Sequence, residues 1–93
     1  MKKYTKAYMD YFGYTTADFI PCELCGSRSV DIHHIWARSI RKDLENDISN
    51  LMALCRECHV RYGDKKDDRD FLTISHSNFM GIRLYGIRLY FEG

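Results

Sequence analysis

Apolar and polar positions change their period several times along the chain. Residues 3 to 12 place Tyr4, Tyr8, Tyr11 and Phe12 at the spacing of one helical face, and Gly13 follows as a stop. An aromatic stripe of this kind ordinarily faces a core. Pro21 breaks the chain before Cys22. Ser29 to Trp36 alternates imperfectly but is β-branched and aromatic enough for a strand. Residues 37 to 50 are polar and charged and read as a long loop with a helical turn, and Leu51-Met52-Ala53-Leu54 suits a short buried strand. Arg56 to Tyr62 has the composition of a helix and stops at Gly63. Lys65 to Asp70 reads as a charged linker, and Phe71 through Met80 as a further helix. The tail repeats Gly81-Ile82-Arg83-Leu84-Tyr85 as Gly86-Ile87-Arg88-Leu89-Tyr90. Two copies are too few for a solenoid, so a terminal strand or a local duplication is expected there, with no chemistry attached.

A chain of 93 residues has room for one domain, spanning 1–93, and its core alone gives marginal stability, so a staple is expected. The four cysteines can supply it as two disulfides or one metal site. They form Cys22-x-x-Cys25 and Cys55-x-x-Cys58, separated by 29 residues. Four thiolates saturate a tetrahedral structural zinc ion, and Gly26 permits the tight turn of a zinc knuckle. Met1 to Lys6 has a positive start, but Asp10 falls where the apolar run of a signal peptide belongs, and no stretch approaches the length of a membrane span. The expected location is therefore the cytoplasm, without a membrane partner. In that reducing compartment paired Cys-x-x-Cys motifs favour metal over disulfide. Thiol redox chemistry would need a thioredoxin-like βαβ pattern, which the chain lacks.

The insert between the knuckles exceeds that of a simple zinc ribbon and contains His33 and His34, while His59 directly follows Cys58. One saturated zinc leaves these imidazoles over, so a second site is the economical reading. Adjacent strand residues face opposite sides, so either one of His33 and His34 is a ligand and the other does a different job, or the strand bends. His59 lies about 100° around its helix from Cys58 and can look back at that strand. His76 has no companions and is expected to be structural. Net charge is only +1, so a polyanionic partner must be recognised by local clustering. Residues 1 to 42 carry seven Lys/Arg against four Asp/Glu, and Arg38-Ser39-Ile40-Arg41-Lys42 is the tightest basic cluster. Arg38, Arg41 and Lys42 follow the histidine pair directly, which suggests contacts to nucleic-acid phosphates.

Taken together, Cys22-x-x-Cys25-Gly26, Val30-Asp31-Ile32-His33-His34-Ile35 and Asn50-Leu51-Met52-Ala53-Leu54-Cys55-x-x-Cys58-His59 resemble the HNH nucleases whose ββα-metal motif is bracketed by two cysteine knuckles. The resemblance covers about residues 20 to 62. It implies a small α+β, treble-clef-like, zinc-stapled domain with its motif core at about 20–65, a flanking helix at 3–12 and a helix or strand in the C-terminal extension 66–93. It further implies a DNA endonuclease in which His34 is the general base and Asn50 braces the loop. His33 and His59 would hold a catalytic divalent ion, namely Mg2+, Mn2+, Ni2+ or Zn2+. Nicking with low sequence preference, leaving 3'-hydroxyl and 5'-phosphate ends, is expected. The chain departs from the family pattern in two places. Gly63 stands where colicin-like members have a further histidine, and Asn46 rivals Asn50 for the brace. The alternative function is a non-catalytic zinc module binding nucleic acid or protein. A homodimer, or an accessory role in a larger DNA-processing complex, stays open.

Overall fold

A computed structural model of the chain describes the backbone of residues 1–63 and 65–92, and the side chains of residues 1–63 and 65–81. The order is α1 (Lys3–Phe12), β1 (Asp31–His34), β2 (Leu51–Leu54), α2 (Arg56–Tyr62) and α3 (Arg69–Glu92), with 3-10 turns at Lys42–Leu44, Ile48–Asn50 and Lys66–Asp68. The chain is thus a small α+β fold built on a two-stranded antiparallel sheet. No helix among the described residues is long and apolar enough to cross a membrane.

The aromatic stripe makes α1, but its buried arc is Tyr8, Met9 and Phe12, with Tyr11 exposed and Tyr4 half-buried at the margin. Successive residues turn by about 100°, so Tyr8, Phe12 and Met9 occupy one continuous arc and the other two tyrosines flank it. Gly13 ends the helix in the left-handed region, at φ 74°, with its own N–H and that of Tyr14 returning to the carbonyls of Asp10 and Met9.

β1 and β2 pair with Asp31 opposite Leu54, Ile32 opposite Ala53, His33 opposite Met52 and His34 opposite Leu51. The strand expected over Ser29 to Trp36 is shorter as a ladder. Single hydrogen bonds from Val30 N–H to Leu54 O and from Ile35 N–H to Asn50 O extend it by one residue at each end. Cross-strand partners share a face. Ile32, Leu51 and Ala53 pack on Tyr8 and Phe12 of α1, while Met52 and Leu54 pack with Cys22, Ile35, Cys55 and Leu72 on the other side. All four residues of β2 are fully buried between these two groups, at roughly 1.5–3 kcal/mol for each large side chain. The loop after β1 holds the first two 3-10 turns, where a helical turn is expected.

The charged segment 65–70 is less a linker than a helix start. Lys66–Asp68 forms a 3-10 turn that runs into α3 at Arg69, and Asp67, Asp68 and Asp70 sit where a helix dipole favours acids. The repeated tail continues this helix, not a strand, and its side chains from residue 82 lie outside the described residues. His76 on α3 is 1 % exposed. Its Nε2 donates to the Ile48 carbonyl at 2.6 Å, and its Nδ1 is hydrogen-bonded to Oε1 of Glu23 at 2.6 Å. The other Glu23 oxygen accepts from the Tyr8 hydroxyl at 2.6 Å and from the Ala53 N–H at 3.3 Å. One buried carboxylate therefore ties α1, the first knuckle, β2 and α3 together.

Candidate functional site

The knuckles bring Cys22, Cys25, Cys55 and Cys58 together, with all four Sγ atoms within 4.8 Å of one another. Cys25 and Cys55 Sγ lie 3.6 Å apart and the four thiols are free. That separation is far too long for a disulfide and close to the ~3.8 Å between thiolates sharing a tetrahedral ion at about 2.3 Å. Local backbone prepares the set. Gly26 turns the first knuckle at φ 82°, and Cys55 caps α2 by accepting the Cys58 N–H on its sulfur. The side chain and backbone of Ser27, with the Cys55 thiol, draw the Cys25 thiol down to about 6, whereas burial pushes Cys58 up. These residues fit a structural metal ion.

The histidines divide between the two faces of β1, as a period of two requires. On the α2 side, the His33 and His59 ring centroids are 4.9 Å apart at 61°. His59 turns away from the thiols although its neighbour Cys58 faces them. Asp31, two residues before His33 and so on its face, places a carboxylate oxygen 3.3 Å from His59 Nδ1. On the α1 side, His34 meets the edge of the Tyr4 ring at 4.5 Å, and its Nε2 lies 2.9 Å from the Glu45 carbonyl oxygen. A carbonyl only accepts, so Nε2 carries a proton, which leaves Nδ1 as the one ring nitrogen able to accept. A groove of about 550 Å³ around the end of β1 collects Asp31, His33, His34, His59, Tyr4 and Arg38. Among the described residues the four thiols are the one group of three or more ligands that closes within 4.8 Å. His33 and His59 are neighbours able to share an ion and leave most of its coordination to water or substrate, which is the character of an open site.

Asn50 sits in the last 3-10 turn before β2, 2 % exposed. Its Oδ1 accepts from Trp36 N–H at 2.7 Å, and its Nδ2 donates to the carbonyls of Trp36 at 3.0 Å and Leu44 at 3.2 Å. It thus clamps both ends of the segment that carries Arg38 and leads to the Glu45 carbonyl under His34. Asn46, the rival for this place, is exposed. The three cations separate: Arg38 lines the histidine groove, Arg41 is engaged by both oxygens of Asp43 at 3.0 and 2.8 Å, and Lys42 is exposed in the following turn.

Sequence reasoning passed over two residues at the groove. Asp31 carried a usable signal, since residues two apart on a strand share a face. The helical stripe alone makes Tyr4 a core residue, and only the position of α1 across β1 shows that its ring lies against His34. Gly63 ends α2 as expected but for another reason. Its φ is −70°, open to any residue, yet a Cβ there would come within 2.4 Å of the His59 ring.

Strand, braced loop, strand and helix, stapled by two cysteine knuckles and opening on a histidine groove, define a ββα-metal class of domain. Residues 22–65 match the family model described as HNH endonuclease. No curated protein and no solved structure matches the chain. α1 and α3 lie outside the matched residues.

Proposed function

We propose that the protein is a metal-dependent HNH endonuclease that hydrolyses phosphodiester bonds in DNA, nicking with little sequence preference. The observation that carries this reading is the place of His34, whose Nε2 is occupied by the Glu45 carbonyl and which lines the same groove as the His33–His59 pair. A histidine with one ring nitrogen held by a carbonyl can offer the other to take a proton from an attacking water. Asn50 acts on that base indirectly by fixing the loop that leads to the Glu45 carbonyl. His33 and His59 hold the divalent ion, with Asp31 orienting His59 through Nδ1. When bound, Mg2+, Mn2+, Ni2+ or Zn2+ supplies stabilisation of charge on the phosphate and the departing oxygen. Arg38 binds a phosphate beside the scissile one, with Arg41 and Lys42 contributing at the rim. Cys22, Cys25, Cys55 and Cys58 hold structural zinc, which suits a reducing cytoplasm. The whole of 1–93 acts as one domain, and cutting both strands takes a second copy or a second visit.

The test is incubation of supercoiled plasmid with wild type and His34→Ala, across Mg2+, Mn2+, Ni2+ and Zn2+, with a chelator control. Wild type is expected to nick and the variant to lose on the order of 10²–10⁴-fold in rate. Equal nicking by both removes His34 as base. A folded, zinc-bound wild type that binds DNA and never nicks it makes the chain a binding module.

A further inference from the structure

The histidine groove does not end at β1. It shares Tyr4, Asp31 and Ile32 with a second depression of about 330 Å³, bounded by Lys2, Thr5, Ser29 and Val30 at the start of α1. Where the two meet, the Tyr4 ring gathers two cations from distant parts of the chain. Lys2 Nζ is 5.6 Å and the Arg38 guanidinium carbon 5.5 Å from its centroid. Both cations are exposed, and among the described residues neither has a carboxylate partner. Two like charges held at one aromatic ring repel each other, and an anion between or beside them relieves that repulsion. The groove's own acid, Asp31, is turned to His59.

We infer that Lys2, Tyr4 and Arg38 form a phosphate clamp, so that the DNA strand leaving the histidine groove continues along the start of α1, beyond the stretch 22–65 that matches the HNH model. This rests on the DNA reading proposed above. Lys2 is then a specific backbone contact, and Tyr4 sets the distance between the clamp and His34. The neighbouring Lys3 is exposed but borders neither depression, which makes it the matched control.

The experiment is anisotropy titration of a short labelled duplex over a range of salt concentrations, with no divalent ion added so that the probe stays intact. Each phosphate contact contributes about 0.9 to the slope of log affinity against log salt. Lys2→Ala and Arg38→Ala are each expected to weaken binding several-fold and flatten the slope by about one, the double variant by about two, and Lys3→Ala to change neither. A wild type that binds with marked salt dependence while Lys2→Ala and Lys3→Ala behave alike overturns the clamp and leaves the nuclease reading standing. A wild type with no affinity for duplex overturns both.

Discussion

Asn50 and Gly63 show how single residues hold the histidines without touching a substrate. In Asn50→Ala, Trp36 N–H and O lose their partners inside the fold while Leu44 O keeps only the Asp47 N–H, and unpaired buried groups cost about 1–3 kcal/mol each before relaxation and water entry. We expect a net loss on the order of 2–3 kcal/mol in chemical denaturation. Asn50→Asp should do no better, since it keeps the acceptor for Trp36 N–H but sets a charge against two carbonyls. A stability equal to wild type in both variants would show that the loop stands without its brace. Gly63 works by absence. A Cβ there would lie 2.4 Å from His59 Cδ2 and 2.5 Å from His59 O, and of these only the ring can move. Gly63→Ala is therefore expected to cost about 1–3 kcal/mol and to weaken Mn2+ or Ni2+ binding by displacing His59, read by calorimetric titration of the zinc-loaded protein. Unchanged affinity in a destabilised variant would separate the packing role of Gly63 from any role in aiming His59.

At the scale of elements, α3 enters the fold through His76, whose pair with Glu23 leaves both side chains at or below 1 % exposure. Removing one member of a buried pair typically costs 3–5 kcal/mol, because the other is left buried and uncompensated. His76→Ala and Glu23→Ala are each expected to lose about that much, and the double variant clearly less than the sum of the two. Additive losses would mean that the pair is not coupled. Tyr8 belongs to the same network. Burial, then the charge of Glu23, pushes its phenol far above the usual range, so folding requires the protonated form. Its contribution is full below the unfolded phenol value of about 10 and falls as pH rises above it. Tyr8→Phe should lose the hydrogen bond at neutral pH and, with it, that part of the alkaline destabilisation.

The same elements show what could be read in advance. The sheet, the knuckles and the opposed histidines follow from spacing within short windows, where periods of two and 3.6 dictate which side chains share a face. Tyr8, Glu23 and His76 lie 15 and 53 positions apart, and nothing local marks the carboxylate in the middle of a knuckle as the partner of a tail histidine. The linker expected at 65–70 is a helix start, and of the helix or strand expected in the C-terminal extension the helix is what forms. Acidic residues at a helix start looked like a solvated run, and β-branched and aromatic residues looked like a strand where α3 simply continues.

For the molecule as a whole, the thiol site and the proposed histidine site should part under chelation. The thiol set ties a knuckle before β1 to the β2–α2 junction across 29 residues, and Cys22 and Cys55 are themselves core residues. A fold of this size without its staple is marginal, and binding energy at such a site is folding energy. On the proposed reading the histidine pair would leave its ion open to exchange, while four sulfurs would enclose theirs. A mild chelator is therefore expected to abolish nicking with the near-ultraviolet circular dichroism intact, and added Mn2+ or Ni2+ to restore activity at once. Removing the thiol-bound ion should need a strong chelator and should melt β2 and α2, carrying His59 away with Cys58. Cys55→Ser should mimic that second stage more completely than Cys25→Ser. Cys55 is buried, caps α2 and belongs to the core, whereas Cys25 is exposed at the rim. Full loss of zinc, checked by elemental analysis, with unchanged dichroism and melting would show that the core stands alone and that the thiols serve something other than the fold.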